Sequence, residues 1–275
     1  MIKHKIFRGR REIGGLSPLE RGYALGDGIF ETIKVVGGNA TWLDEHLERM
    51  YSSAKFVGIT VEFLKNEISE ICRHFISEGG IADGFIRLTL SRGETTTGRF
   101  SDMPEAATLS IVGGNAEVGH LPLKVGLAEW PLNEKDPAVR HKTISKISSV
   151  LAWKSAREKG FDELLFQNTK GIVAEGIVSN VFWFMGDVLY TPSEECGILP
   201  GVARKTVLSA AKKLGISCYV GEFVVTEPQT ADGLFFTNSL WIIRECGEFN
   251  GVAFNRNNPR IKALRECVIN DQGEI

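Results

Sequence analysis

Short stretches of this chain alternate apolar and polar residues, and longer stretches repeat apolar residues at helical spacing. "GIFETIKVVGGNATWL" reads as two strands around a Gly-Gly-Asn turn. "DEHLERMYSSAKFVG" reads as a helix, with Leu47, Met50, Tyr51 and Ala54 on one face and Asp44 placed to cap its start. "VEFLKNEISEICRHFISEGG" predicts a second helix, stopped by Gly79 and Gly80, and "GFIRLTLSRG" and "AATLSIVGG" predict strands on either side of a polar loop. The Gly and Pro of "GGNAEVGHLP" mark a linker.

Beyond it, "LKVGLAEW" predicts a strand, and "RHKTISKISSVLAWKSAREKG" an amphipathic helix from Ile144 on, with Ile147, Val150 and Leu151 at helical spacing. "DELLFQ", "GIVAEG", "SNVFWFMG" and "DVLYTP" follow as short strands. "GVARKTVLSAAKKLG" predicts a helix beginning after Pro200-Gly201, "GLFFTNSLWIIREC" reads as strand, and "NPRIKALRECVIN" as a last helix. The pattern predicts a mixed α/β (α+β) fold. Its domains are expected at 1–115 (the smaller) and 123–275 (the larger, carrying Lys142), with a linker over 116–122.

Composition narrows the function classes. The 275 residues are 43% hydrophobic and 24% charged with a net charge of −2, the profile of a soluble globular chain with no general attraction to nucleic acid or anionic membrane. No apolar run approaches the roughly 20 residues of a membrane span, and the N-terminal stretch has no signal-peptide core. The 5 cysteines are scattered and odd in number. That argues against a disulfide framework or a zinc site, so no metal is expected, and it suits a reducing cytoplasm.

Four places could carry chemistry. Lys142 precedes the predicted helix, at the positive end of its dipole, where an ammonium is disfavoured. A neutral amine is what a carbonyl-attacking nucleophile needs; the alternative is an exposed loop lysine. Glu175, in the otherwise apolar "GIVAEGIVSNVF", either faces solvent or meets a cation such as a protonated pyridine nitrogen. In "GILPGVARKTVL" the amides of Val202 and Ala203 form a helix start of the kind that binds anions, although many such starts bind nothing. Arg49 lies off the apolar stripe of its helix, as a solvated residue or as a bidentate phosphate partner.

Taken in order, "RGYALGDGIFET", "HLERM", "HKTISKISSVLA", "VAEGIVSNVF" and "GILPGVAR" resemble the class IV, fold type IV, pyridoxal-phosphate enzymes over nearly the whole chain. That group includes D-amino-acid aminotransferases, branched-chain aminotransferases and 4-amino-4-deoxychorismate lyases. The resemblance implies two α/β domains with pyridoxal 5′-phosphate at their interface. Lys142 is then the residue that bonds the cofactor and moves a proton between it and the substrate Cα. Glu175 holds the pyridine nitrogen protonated, and Arg49 with the Val202 and Ala203 amides forms the phosphate cup. Ser179, Asn180, Thr237, Asn238 and Ser239 match loops touching cofactor or substrate, with Leu240 beside them, and Phe30 matches the pocket wall. The resemblance also implies a homodimer in which the loop 91–104 of one subunit reaches the other's site.

The member is harder to read. Well-known D-amino-acid aminotransferases hold the substrate carboxylate with an Arg, a His and a Tyr. Here Phe30 stands at the Tyr position, Phe100 near the His and Lys135 at the Arg. Arg87 and Arg99 are the arginines available to rebuild that trap. Arg87 falls in a strand among apolar residues and wants a partner, either a substrate carboxylate or a nearby acid. "NSLW" and "SRGETTTGR" resemble the lyases, but "ETTT" is not their Gly-rich turn. The expectation is a transaminase passing an amino group from an amino acid, D-amino acids first, to a 2-oxo acid such as 2-oxoglutarate or pyruvate. Its alternative is aminodeoxychorismate lyase chemistry, which forms 4-aminobenzoate and pyruvate. A non-catalytic cofactor- or phosphate-binding protein comes last, since phosphate binding needs neither Lys142 nor Glu175.

Overall fold

The computed structural model describes residues 2–117, 119, 121–255 and 258–270. The chain divides into two compact units, Met1–Val118 with His141–Lys146, and Gly119–Arg140 with Ile147–Ile275. The first unit runs β1 (Lys3–Arg8), β2 (Arg11–Glu12), α1 (Arg21–Leu25), β3 (Gly28–Val36), β4 (Asn39–Ala40), α2 (Leu43–Val57), α3 (Lys65–Gly79), β5 (Gly84–Ser91) and β6 (Thr108–Asn115). Its strands form one antiparallel sheet in the order β2-β1-β6-β5-β3-β4. Ile29, Ile33, Ile86 and Leu88 bury one sheet face against Leu47 and Met50 of α2 and Ile68, Cys72 and Phe75 of α3. Asp44 does not cap α2. Trp42 is the N-cap, in the left-handed region at φ 51°, and Asp44 sits in the first turn, where its charge suits the helix dipole.

The segment carrying Lys142 groups with this unit, whereas a linker at 116–122 places it in the second. Backbone pairing is the reason. The Phe30 N–H donates to the Lys142 carbonyl at 2.8 Å, and the Ile144 N–H donates to the Gly28 carbonyl at 3.0 Å. Thr143 bridges Ile29, so residues 142–144 lie alongside β3 in extended form and the following helix cannot begin at Ile144.

The second unit runs β7 (Leu123–Leu127), α4 (Ile147–Glu158), β8 (Glu163–Gln167), β9 (Val173–Gly176), β10 (Asn180–Met185), β11 (Val188–Pro192), a short 3₁₀ turn (Glu194–Cys196), α5 (Val202–Lys213), β12 (Ser217–Gly221), α6 (Thr226–Gln229), β13 (Gly233–Thr237), β14 (Arg244–Phe249), β15 (Val252–Ala253) and α7 (Pro259–Asn270). A mixed sheet orders its strands β12-β11-β10-β13-β14-β7-β8-β9, with β15 beside β14. β8 is buried on both faces, Leu165 in one core and Leu164 with Phe166 in the other, as a strand with a parallel neighbour commonly is. β9 pairs with β8, so Glu175 and Asn180 belong to strands that a turn joins without a ladder between them. "GLFFTNSLWIIREC" is not one strand. After Thr237 the chain turns on Asn238, whose Oδ1 accepts the N–H groups of Leu240 and Trp241, and β14 begins only at Arg244.

α4 is amphipathic with its faces reversed from the usual sense. It buries Ala152 and Ala156, and it leaves Ile147 72% and Val150 58% exposed. Among the described residues no helix is long and apolar enough to cross a membrane, and no group of His, Cys, Asp and Glu is placed to hold a metal ion.

Candidate active site

In the first unit, alternation along β3 turns Phe30 and Glu31 to opposite faces. Glu31 is 1% exposed and sits among core residues, where an unpaired carboxylate would be very unfavourable. α2 supplies its partners from successive turns. Arg49 donates from Nε to Oε1 at 2.8 Å and from Nη2 to Oε2 at 2.6 Å, and His46 meets Oε2 through Nδ1 at 2.7 Å. Burial by itself raises the Glu31 pKa, but the Arg49 charge and these hydrogen bonds overcome it and hold the group down at about 2. Burial, with the charges of Arg49 and Lys142, lowers the His46 pKa against the pull of Glu31. The neutral ring then donates from Nδ1, and its Nε2 is buried with no hydrogen-bond partner among the described residues. Sequence reasoning missed Glu31 and His46. Their signal was an acid in an alternating apolar strand, together with a His and an Arg at i, i+3 on the next helix.

On the other face of β3, the Phe30 ring meets two cations. The Lys142 ammonium is 4.6 Å from its ring centroid and the Arg87 guanidinium 3.8 Å. Arg87 is half-buried on β5, opposite Thr32 of β3, and burial lowers its pKa. Among the described residues it has no hydrogen-bond or ion-pair partner, so no acid neutralises it. His141 anchors the Lys142 segment to α2: its Nδ1 lies 3.0 Å from the Ser53 hydroxyl, and its ring stacks on Phe56 at 4.0 Å. α4 begins at Ile147, which leaves Lys142 off the helix end and removes the dipole argument for its position. Arg99 is exposed on the loop after β5, joined to this cluster by no hydrogen bond or ion pair among the described residues. Arg21 holds that loop, donating from Nη1 to the carbonyls of Phe100 at 2.8 Å and Asp102 at 3.0 Å, and Phe100 is 79% exposed.

In the second unit, Glu175 is half-buried on the end strand β9 and has partners there. Its Oε2 accepts the Asn180 side-chain amide at 3.0 Å and the Leu199 N–H at 2.9 Å, and Asn180 also donates to the Leu199 carbonyl at 2.9 Å. Two donors on one oxygen suit the carboxylate form. Gly201 caps the adjoining helix α5, whose first-turn amides, those of Val202 and Ala203 included, have no partner inside the helix. A Cβ on Gly201 would lie 2.2 Å from Asn180 Oδ1, so only glycine lets Asn180 close on the helix start. Ser179 donates to Oε2 of Glu163 at 2.9 Å, a second buried acid that the sequence did not signal. Burial pushes the Glu163 carboxyl up to about 7 against the hydrogen bonds it accepts. Asn238 ties its own turn to this region, donating to the Val178 carbonyl at 3.3 Å, while Ser239 and Leu240 are half-exposed beside it.

The family model for amino-transferase class IV matches residues 28–249. A putative branched-chain-amino-acid aminotransferase of Methanocaldococcus jannaschii is 31% identical, across 87% of this chain and 84% of its own. An aminodeoxychorismate lyase of Bacillus subtilis is 32% identical across 82% and 78%. Among solved structures, a putative 4-amino-4-deoxychorismate lyase from Legionella pneumophila superposes with a TM-score of 0.90 at 27% identity, over 94% of this chain and 96% of that one.

Proposed function

The chain belongs to the class IV aminotransferases, and from that premise we propose that it is a transaminase moving an amino group between an amino acid and a 2-oxo acid. The cofactor of the class is pyridoxal 5′-phosphate, and each unit holds groups of the kind it needs: an amine and a guanidinium against the Phe30 ring in the first, a carboxylate held as acceptor and a glycine-capped helix start in the second. The bound cofactor supplies a ring that withdraws electrons from the substrate Cα and makes its proton removable.

In this reading Lys142 Nζ bonds the cofactor and moves the Cα proton. Glu175 keeps a proton on the ring nitrogen, within a lattice of donors from Asn180 and Leu199 that prevents its rotation. The Val202 and Ala203 amides and the Arg49 guanidinium take phosphate oxygens. Ser179, Asn180, Asn238 and Ser239 border the cofactor, and Phe30, Leu240 and Ser239 border the substrate.

The observation that carries the substrate reading is Arg87, a half-buried guanidinium without an anionic partner among the described residues. Such a cation is completed by a carboxylate on the substrate, which favours acidic or small polar donors over branched-chain ones, with the D series first. Arg99 supplies a second, weaker contact from the loop of a partner copy. The exposed Ile147 and Val150 of α4 are the kind of surface a second copy covers, which supports a homodimer. The test is an assay of the purified protein with D-glutamate, D-alanine, L-glutamate and L-leucine, using pyruvate or 2-oxoglutarate as acceptor. Pyruvate released from aminodeoxychorismate without an acceptor would replace this reading with the lyase one. The Bacillus subtilis and Legionella pneumophila relatives favour that second reading.

A further inference from the structure

Glu163 opens β8 with its side chain wholly buried. Its Oε1 accepts the N–H of Leu164 at 3.1 Å and of Ile177 at 2.7 Å, and its Oε2 accepts the Ser179 hydroxyl at 2.9 Å. Ile177 and Ser179 both lie in the turn that joins Glu175 to Asn180. The Gly176 N–H donates to the Ser179 carbonyl at 2.7 Å and closes that turn. Gly176 also makes room for the carboxyl: a Cβ there would stand 2.3 Å from Ser179 Oγ and 3.0 Å from Glu163 Cδ.

A buried acid with no ion pair among the described residues is an unfavourable choice unless something needs its acceptors. A carboxylate offers acceptor sites only, and the groups facing this one are backbone amides and a hydroxyl, which can all donate. The match is between an acceptor-only group and a turn rich in donors. While Glu163 is ionised, the Ser179 hydroxyl hydrogen points at Oε2, and Ser179 offers other neighbours lone pairs alone.

We propose that Glu163 is a positioning residue: it clamps the 176–179 turn and thereby sets Glu175 and Asn180, at the turn's two ends, in the geometry their task requires. This rests on the role proposed above for Glu175. The linkage is short. Asn180 donates to Glu175, Leu199 donates to the same oxygen, and the only backbone between Glu175 and Asn180 is the turn that Glu163 holds.

The test compares Glu163→Ala and Glu163→Gln with the parent. Amide hydrogen exchange over 173–182 is measured in the cofactor-free protein, and uptake of pyridoxal phosphate is followed by tryptophan fluorescence. kcat, KM and the absorption spectrum are recorded after loading. With Glu163→Ala, exchange at Ile177 should rise about tenfold or more, the effect of losing a hydrogen bond worth about 1.4 kcal/mol. The central amides of β10 should stay protected. kcat should fall about tenfold or more with KM moving much less, since the acid acts on the reacting ring and not on substrate binding. Glu163→Gln should restore the turn and most of kcat, because its side-chain oxygen accepts from both amides and its NH₂ donates to Ser179. Unchanged exchange at 176–179 overturns the clamp. So does a loosened turn with full kcat and an unchanged spectrum, or a Gln variant no better than Ala. If Glu163→Ala does not fold, Ser179→Ala removes one side of the clamp: faster exchange at Ile177 supports it and unchanged exchange overturns it. A parent protein that takes up no pyridoxal phosphate, yet whose turn loosens in Glu163→Ala, sinks the cofactor reading and leaves the clamp standing.

Discussion

The Arg87 guanidinium rests 3.8 Å from the centroid of the Phe30 ring, and no carboxylate among the described residues pairs with it. Aromatic contact alone is weak compensation for a half-buried cation, at about 0.5–2 kcal/mol. A substrate carboxylate would add a charge-assisted hydrogen bond worth roughly 1.5–3 kcal/mol. Arg87→Ala should therefore raise KM for an acidic amino acid by about ten- to a hundredfold. The fold should survive, since the residue makes no hydrogen bond among the described residues. The decisive quantity is the kcat/KM ratio of D-glutamate to a monoamine without a carboxylate. Equal losses on both would make Arg87 structural and place the carboxylate elsewhere. Arg99→Ala should shift the ratio in the same direction by less.

Lys142 is reached by a different experiment. Borohydride treatment of the loaded protein followed by peptide mapping should fix the cofactor on Lys142, and Lys142→Ala should lower turnover by about 10³-fold or more. A label on Lys146 or Lys154 would move the catalytic assignment. His141→Ala, which frees the segment from Ser53 and Phe56, should lower kcat without changing the labelled residue.

Much of this architecture could be read from the chain, and the exceptions share a cause. The start of α5 was legible because Pro200-Gly201 precedes an apolar repeat, a local signal. Pairing of residues 142–144 with β3 is long-range and leaves no local period, so the lysine was assigned to the wrong unit. The stripe of Ile147 and Val150 on α4 has helical spacing, but spacing states that a helix has two faces and not which one packs inward. Here Ala152 and Ala156 do. Glu175, Arg49 and Lys142 stand in sequence motifs, which is why the chain singles them out. The acids that hold the surroundings, Glu31 and Glu163, stand in apolar strands where one charge looks like an exception, and only their partners in space explain them.

Glu31 also predicts a pH dependence. Its pKa in the folded chain is about 2 against a reference of 4.5. The folded carboxylate is thus favoured, and the stabilisation is complete above pH 4.5 and lost as pH falls through 2. The difference corresponds to about 3 kcal/mol at neutral pH. His46, whose pKa is lowered, adds a slope of the same sign up to its reference value of 6.5. Urea unfolding across pH 2–7 should show the parent losing stability on the acid side more steeply than Glu31→Gln. Glu31→Gln should also weaken phosphate-dependent uptake of the cofactor, because Arg49 loses its bidentate partner. Parallel curves for the two proteins would contradict the buried pairing.

Glu163 carries the opposite sign. With its pKa raised from 4.5 to about 7, the folded chain holds a proton that the unfolded chain has released. Stability should therefore fall as pH rises from 4.5 to 7 and level off above it. Arg244 is a charged group that feels this carboxyl, and Asp162 lies beside it in sequence. The useful quantity is thus the difference between the parent and Glu163→Gln, not the parent curve alone. The amide does not titrate, so that difference should grow by about 3 kcal/mol across the window, in favour of the variant. A difference that stays constant with pH would mean Glu163 is ionised throughout.

Gly201 offers a steric test that leaves every charge in place. Its φ of −67° suits any L-residue, so Gly201→Ala strains no backbone. The new methyl carbon would instead stand 2.2 Å from Asn180 Oδ1. Asn180 must then give way, and with it the donor it places on Glu175. Overpacking of this kind costs typically about 1–3 kcal/mol, so affinity of the cofactor-free protein for pyridoxal phosphate should drop about tenfold or more. Asn180→Ala removes the atom that is struck. In the double variant the Gly201→Ala substitution should therefore add almost nothing to the loss caused by Asn180→Ala alone, a strong non-additivity expected only of groups in contact. Fluorescence titration of the four proteins measures it. Additive losses would show that the methyl group disturbs α5 itself, and that glycine stands at 201 for the helix start and not to admit Asn180.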